Sequence, residues 1–239
     1  MSDFRLLVFG ATGYTGRHVA QDACKRGLPV VAHLRPGSPR ASTVGADLEA
    51  CGAELAAVAW DAPAIRALVQ RTQPTHVFLL LGITRAGARR ESARTGQLPT
   101  YAQVDTGYTN LVLDSVEATA PSARVVYLSS LGADRPSSNA YLQARHVVET
   151  RLVASEMQYT IVRPSFISGS DRDEDRLGER VGSVVSNAAL SLLGTLGAKT
   201  LQQRYATVSG PELGHMLVSV ALEPAMARRA VDMVDLRGM

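Results

Sequence analysis

The chain has 239 residues, 46% hydrophobic and 20% charged, a balance typical of a folded globular protein and not of a disordered one. Its net charge is +3, and the basic residues are spread along the chain without a block that resembles a nucleic-acid-binding arm. No signal peptide or membrane-spanning tract is evident, so we expect a cytoplasmic protein without nucleic-acid or membrane partners.

Short β-rich runs alternate with helical patterns over the first two thirds of the chain. Strands are predicted at 4–10, 29–35, 53–60, 75–82, 123–130 and 159–165. Helices are predicted at 15–27, 63–72, about 100–119 and 138–157. Near-continuous apolar strands separated by helices are typical of a parallel sheet covered on both faces. We therefore predict an α/β fold, a doubly wound parallel sheet of the Rossmann type.

The pattern loosens after strand six. Further predicted elements are a solvated charged stretch (168–180), a pocket-lining apolar helix (181–198), a short strand (204–209), a helix (211–222) and an edge strand (230–236). We predict one domain, 1–239, in which residues from about 165 onward form a small C-terminal substrate lobe.

The stretch "LLVFGATGYTGRHVA" (6–20) runs from the first strand through three glycines into a helix. Glycine allows a tight turn whose backbone N–H groups approach a pyrophosphate, and the helix N-terminus favours the negative charge. This context predicts a dinucleotide site, with a glycine-rich bend without a ligand as the alternative. The predicted contacts are Gly10, Thr12, Gly13, Tyr14, Thr15 and Gly16.

The residue after the second strand bears on which dinucleotide binds. NAD-binding chains usually place an acid there for the ribose 2′-hydroxyl, but this chain has Arg35. A guanidinium can bind a 2′-phosphate by donating two hydrogen bonds to its oxygens, so NADP is predicted in preference to NAD. A plain surface charge is the alternative for Arg35, and Arg40 could assist it. Asp61, after the third strand, could accept from the adenine amino group or cap the following helix.

Four motifs in order carry a resemblance: "LGITR" (81–85), the run Ser129–Asp134, the helix start Tyr141–Arg145, and Arg163-Pro164. Together with the glycine turn, they resemble the short-chain dehydrogenase/reductase superfamily. The likeness is to its extended and atypical members, in particular the Tat-interacting-protein-like oxidoreductases, and covers about 5–222.

The resemblance implies roles for several side chains. Tyr141 would be the general acid and Ser130 the donor to the substrate oxygen, with Leu131 as the alternative alignment of that serine. Arg145 stands where the superfamily has lysine, on the same helix face as Tyr141, and would position the nicotinamide ribose. A guanidinium keeps its charge but does not readily relay a proton. An ordinary helix surface is the alternative for this pair.

Other residues are placed around the cofactor by the same resemblance. Leu81, Gly82 and Pro164 are predicted to contact it. Asp105 stands where relatives often have asparagine, which either weakens the site or supplies a counter-ion for Arg145. The stretch 82–96 is predicted to be a solvated basic loop, with a clamp on an anionic substrate or on the cofactor phosphates as the alternative. Its arginines are Arg85, Arg89, Arg90 and Arg94.

Two functions follow from these residues. The first is an NADP-dependent oxidoreductase that reduces a carbonyl of a small, possibly anionic, substrate. The second, motivated by the lysine-to-arginine change, is a non-catalytic NADP(H)-binding redox sensor that acts on a protein partner. Epimerase or dehydratase chemistry on a nucleotide sugar is disfavoured because the C-terminal lobe is small. A homodimer is expected by analogy, and the sequence suggests no metal site.

Overall fold

The computed structural model describes residues 4–38, 40–83, 85–168 and 206–238. Nine strands lie in this part of the chain. They are β1 (Leu6–Phe9), β2 (Val30–Leu34), β3 (Glu54–Ala57), β4 (His76–Leu79), β5 (Arg124–Leu128), β6 (Gln158–Arg163), β7 (Ile167–Ser168), β8 (Val208–Ser209) and β9 (Arg229–Asp232).

Eight α-helices connect or follow these strands within the described residues. They are α1 (Tyr14–Lys25), α2 (Ala46–Ala50), α3 (Ala62–Thr72), α4 (Arg85–Thr95), α5 (Thr109–Thr119), α6 (Ala140–Ala154), α7 (Gly210–Leu222) and α8 (Met233–Arg237). Wide π-type turns at Ala41–Gly45 and Ala102–Tyr108 lead into α2 and α5, and a 3₁₀ turn spans Pro224–Met226. None of these helices is long and apolar enough to cross a bilayer.

Seven strands form one parallel sheet in the order β3, β2, β1, β4, β5, β6, β9, and β7 pairs with β8 in a separate two-stranded ribbon. Successive strand residues supply two apolar layers, as Leu6 and Leu7 show by facing opposite sides. One layer is covered by α1 and α7, and the other by α3, α5 and α6. The predicted doubly wound parallel sheet is confirmed.

Two regions differ from the sequence-based expectation. The stretch expected to be a loop over 82–96 forms α4 from Arg85 onward. Its composition is mostly polar, so it has no apolar stripe that would reveal a helix. The expected edge strand over 230–236 is strand only as far as Asp232, whose carboxylate caps α8 and ends the strand there.

The C-terminal part is attached to the sheet through close packing of α7 against α1. A Cβ on Gly210 would lie 2.5 Å from the His18 ring, and one on Gly214 would lie 2.8 Å from the His18 carbonyl carbon. Glycine at these two positions therefore lets the helices approach. The predictions for 169–205, including most of the charged stretch and the apolar helix, fall outside the described residues.

Candidate functional site

The glycine turn lies at the centre of the sheet, where the strand order reverses between β1 and β4. Gly10 has a φ of +85°, and a Cβ there would lie 2.6 Å from the Leu80 carbonyl oxygen. The Gly13 N–H donates to the Gly10 carbonyl at 2.9 Å, and a Cβ on Gly16 would lie only 2.1 Å from that oxygen. The glycines thus hold a tight turn against the end of β4, in the crevice where doubly wound sheets bind ligands.

The start of α1 carries no side-chain cap. Its N-cap is Gly13, without a side-chain cap and without an acid in the first turn. By contrast, α3, α6, α7 and α8 each begin with a side-chain oxygen that accepts from a backbone N–H. A glycine N-cap without a side-chain cap or an acid in the first turn is compatible with a dinucleotide pyrophosphate, which the helix dipole would favour.

The other predicted residues of the turn connect it to neighbouring segments. The Tyr14 hydroxyl donates to the Ser168 carbonyl and accepts from the Gly210 N–H, both at 3.2 Å. Tyr14 therefore joins the turn to β7 and to the start of α7. The Thr12 carbonyl accepts from Arg40 Nη1 at 3.5 Å, and Thr15 is buried.

Arg35 follows β2 at the same edge of the sheet and is held by α4. Its Nη1 and Nη2 donate to the two carboxylate oxygens of Glu91 at 2.8 and 3.0 Å. Arg94 donates to Glu91 from the next turn of α4 at 2.6 Å. Hydrogen bonds from Arg94 and Arg35 lower the pKa of the Glu91 carboxyl to about 2. The guanidinium predicted for a 2′-phosphate is thus paired with a carboxylate in this structure.

Asp61 caps α3. Its carboxylate accepts from the Ala64 N–H at 2.9 Å, and Pro63 occupies the first turn. Of the two uses considered for Asp61, the structure shows the helix cap.

Arg145 is buried beneath the ends of two strands. It is 4% exposed, and its guanidinium donates to the Leu81 and Leu128 carbonyls at 2.9 and 2.8 Å. It also forms an ion pair with Asp105 at 2.8 Å. Of the alternatives for Asp105, the structure thus shows the counter-ion. The predicted contact of Arg145 with a nicotinamide ribose stays a prediction, since the contacts present here are internal.

Gly82 makes room for this cation. A Cβ at Gly82 would lie 2.6 Å from Arg145 Nη2, so a larger residue here would clash with the buried guanidinium. Leu81, its predicted partner in cofactor binding, is buried and supplies the carbonyl described above. Contact of either residue with a cofactor stays a prediction.

Burial and pairing act in opposite directions on the ionisable groups of this cluster. Burial disfavours the Arg145 cation, but Tyr127, Tyr141 and Asp105 outweigh it, so the pKa of the guanidinium is raised. Burial raises the pKa of the Asp105 carboxyl, while Arg145 and the Ile83 N–H oppose the rise. Burial also raises the pKa of Tyr127 to about 12. Because a guanidinium does not give up its proton in proteins, Arg145 is a permanent buried charge.

Tyr141 lies in the first turn of α6, over this cation. The Arg145 guanidinium carbon is 5.2 Å from the centre of the Tyr141 ring, within range of a cation–π interaction. The Tyr101 ring meets Tyr141 edge-on at 5.5 Å. Asn139 caps α6 by accepting from the Tyr141 and Leu142 N–H groups. The predicted i, i+4 neighbourhood of tyrosine and cation is therefore present.

Ser130 and Pro164 follow the adjacent strands β5 and β6. Ser130 is half-buried, and its carbonyl accepts from the Ala133 N–H. Pro164 is buried, and its carbonyl accepts from the Leu131 N–H at 3.0 Å, which holds the two post-strand segments side by side. The carboxyl edge of the sheet thus gathers the glycine turn, the β4 end, Ser130 and Pro164.

Sequence reasoning missed a second ion pair, partly buried, beside Ser130. The Ser129 hydroxyl donates to the Glu149 carboxylate, which also accepts from Arg163 Nη2 at 2.6 Å. The Ser129 hydroxyl is therefore already engaged by Glu149. The i, i+4 spacing of Glu149 and Arg145 would have suggested a different pair, so helical spacing could not have found the contact with Arg163. Within the described ranges, no three His, Cys, Asp or Glu side chains group as a metal site would require.

The chain is similar to known NAD(P)H-binding proteins. Residues 10–190 match a family model described as NAD(P)H-binding. The rice (Oryza sativa subsp. indica) chloroplastic divinyl chlorophyllide a 8-vinyl-reductase is 31% identical over 173 residues, which are 69% of this chain and 40% of the reductase. The chain thus spans about two fifths of that relative's length.

Two solved structures show the same fold at low identity. A leucoanthocyanidin reductase–NADPH complex from Vitis vinifera superposes with a TM-score of 0.64 at 13% identity, covering 95% of this chain and 67% of that one. A UDP-glucose-4-epimerase from Stenotrophomonas maltophila with bound NAD superposes with a TM-score of 0.64 at 15% identity. The match covers 97% of this chain and 80% of that one. These likenesses establish the fold alone, and the finer likeness to Tat-interacting-protein-like oxidoreductases stays a prediction.

Proposed function

Because the chain belongs to the NAD(P)H-binding family, we propose that it is an NADP(H)-dependent reductase of a small carbonyl substrate. The observation that carries the proposal is the glycine turn and the α1 N-terminus without a side-chain cap at the sheet's switch point, with Tyr141 and Ser130 at the same edge. The likeness to a vinyl reductase supports a reduction as the reaction type. The NADP preference rests on Arg35 and Arg40 and on the absence of an acid directly after β2.

The protein's own residues have distinct parts in this proposal. The backbone N–H groups after Gly10 and at the start of α1 would bind the pyrophosphate. Bound NADPH would supply the hydride for the reduction. Tyr141 would donate its hydroxyl proton to the substrate oxygen, and Ser130 would orient that oxygen by a hydrogen bond. The buried Arg145 cation would favour the phenolate that remains on Tyr141 after the proton leaves.

Replacing Tyr141 by phenylalanine tests this assignment. With NADPH and a panel of small aldehydes, ketones and keto acids, we expect cofactor oxidation by the wild type. Tyr141→Phe should lower the rate by about 10²- to 10⁴-fold, the usual contribution of a positioned acid. Its dissociation constant for NADPH should stay within about twofold, since the pyrophosphate contacts remain.

Tyr101→Phe is the matched control, because it removes a hydroxyl from the ring packed against Tyr141. This variant should keep the wild-type rate. Unchanged turnover in Tyr141→Phe would remove the tyrosine from the chemistry.

A non-catalytic NADP(H)-binding sensor is the second candidate, and one observation favours it. The Arg145 guanidinium donates to two internal carbonyls and pairs with Asp105, although this residue is the one expected to contact the nicotinamide ribose. The sensor predicts NADPH binding without turnover of any panel substrate. It also predicts that NADPH changes hydrogen exchange in α7, because Tyr14 ties the cofactor turn to the start of that helix. Identical exchange with and without NADPH would count against it.

Several further properties belong to the proposal. They are a substrate lobe from about residue 165, an anionic substrate, a homodimer and a cytoplasmic location. They are carried by the sequence and by the resemblance described above, and nucleic-acid, membrane and metal partners are not part of the proposal.

A further inference from the structure

The end of β2 already holds an internal anion at the position where a 2′-phosphate is expected. Glu91 meets the Arg35 guanidinium in a fork-to-fork arrangement, with both carboxylate oxygens engaged at 2.8 and 3.0 Å. A guanidinium donates to two oxygens of a phosphate in the same geometry. Nη1 and Nη2 of Arg35 are therefore both engaged by the Glu91 carboxylate, which is negatively charged like the 2′-phosphate.

Glu91 is fixed in this place from its own helix as well. Arg94, one turn further along α4, donates to the same carboxylate at 2.6 Å. The Glu91 side chain is 20% exposed, whereas Arg35 and Arg94 are 36% and 51% exposed. The carboxylate thus lies between two guanidinium groups. Its pKa of about 2 keeps it ionised at any pH used for cofactor binding.

We propose that Glu91 is a specificity-determining residue for the cofactor, competing with the 2′-phosphate for the Arg35 guanidinium. The inference rests on the proposed function, because it assumes that a dinucleotide binds with its adenosine half at the end of β2. A cofactor with a phosphate has to displace Glu91 from Arg35, whereas a cofactor with a 2′-hydroxyl leaves the ion pair in place. The exchange lowers the affinity for NADPH relative to the affinity that Arg35 alone would provide.

The experiment compares NADPH and NADH, which differ only in the 2′-phosphate. Dissociation constants are measured from the cofactor's fluorescence for the wild type, Glu91→Gln and Glu117→Gln. Glu91→Gln should bind NADPH about tenfold more tightly and NADH within about twofold of wild type, because one charged competitor is removed. Glutamine is as good a helix former as glutamate, so α4 should persist.

Glu117→Gln is the matched control. Glu117 is an acid on α5 that pairs with an arginine, Arg151, at 2.8 Å, away from β2. This variant should leave both dissociation constants unchanged. A second comparison uses the Arg35→Gln background, in which Glu91→Gln should change the NADPH dissociation constant by no more than about twofold, since the shared cation is gone.

The outcomes separate this inference from the proposed function. If both cofactors bind and Glu91→Gln leaves the NADPH-to-NADH ratio unchanged, the competition is overturned while the cofactor site stands. The same holds if Glu91→Gln tightens NADPH equally in the Arg35→Gln background. If neither cofactor binds the wild type or Glu91→Gln, the proposed function fails and the inference falls with it.

Discussion

Arg145 has a structural role that its position in the sequence does not indicate. In the sequence it replaces a catalytic lysine beside Tyr141. In the structure its guanidinium reaches two strand-end carbonyls and Asp105, which is fully buried. A lysine amine is a point donor without the planar fork that spans these acceptors. The arginine therefore stabilises the carboxyl edge of the sheet, whatever it does for catalysis.

Removing this cation should be costly for stability. Arg145→Met keeps an unbranched, shorter side chain without a charge and leaves Asp105 buried without a counter-ion. We expect the free energy of unfolding to fall by about 3–5 kcal/mol, measured by urea denaturation. The double variant Arg145→Met/Asp105→Leu should regain most of this loss, because no unpaired charge remains. A single variant as stable as wild type would contradict the structural role.

Among the elements, the pairing of α1 and α7 decides how the C-terminal part meets the cofactor turn. The helices approach through Gly210 and Gly214, and Tyr14 bonds to the backbone of both β7 and α7. Close packing of this kind tolerates no added atom without a shift of the backbone. The position of the residues around β7 and β8 relative to the glycine turn therefore depends on this contact.

Gly214→Ala tests the helix contact. The added Cβ would lie 2.8–2.9 Å from His18 backbone and side-chain atoms, so we expect a loss of about 1–3 kcal/mol in thermal or urea unfolding. Gly107→Ala is the control, since its Cβ would meet its nearest neighbour at an ordinary 3.4 Å. That exposed change should be neutral or stabilising by up to about 1 kcal/mol. Equal effects of the two substitutions would argue against close helix packing.

For the whole molecule, two buried histidines link stability to pH. Burial lowers the pKa of His33 to about 4 although its Nε2 bonds the Val58 carbonyl, and burial and Arg124 lower the pKa of His76 to about 4. Unfolded imidazoles take up protons near pH 6.5. Between about pH 6.5 and 4 the unfolded state thus binds more protons, so stability falls as the pH falls through this window.

We expect His33 alone to account for about 2 kcal/mol of the stability lost between pH 7 and pH 5. The measurement is urea unfolding at both pH values for the wild type and His33→Gln. Glutamine can still donate to the Val58 carbonyl but does not titrate. The pH-dependent loss should be about 2 kcal/mol smaller in the variant, and equal losses would show that His33 does not carry this dependence.

The parallel sheet and the glycine turn could be predicted because both depend on local patterns. Runs such as Leu6–Phe9 are apolar on both faces, and the three glycines stand between strand and helix. The neighbourhood of Tyr141 and Arg145 followed from helical spacing for the same reason. Helix α4 was not predicted, because ion pairs and not an apolar stripe mark it.

Which residues from distant segments pair with each other depends on the tertiary structure. Glu91 meets Arg35 across 56 residues, and Asp105 meets Arg145 because the sheet brings the ends of β4 and β5 together. Cys24 and Cys51 are far apart in sequence, yet burial and the Cys51 thiol raise the pKa of Cys24 to about 12. Local propensity acts over a few residues, whereas the choice of partner for a charged or polar group depends on which strand ends and helices the topology places side by side.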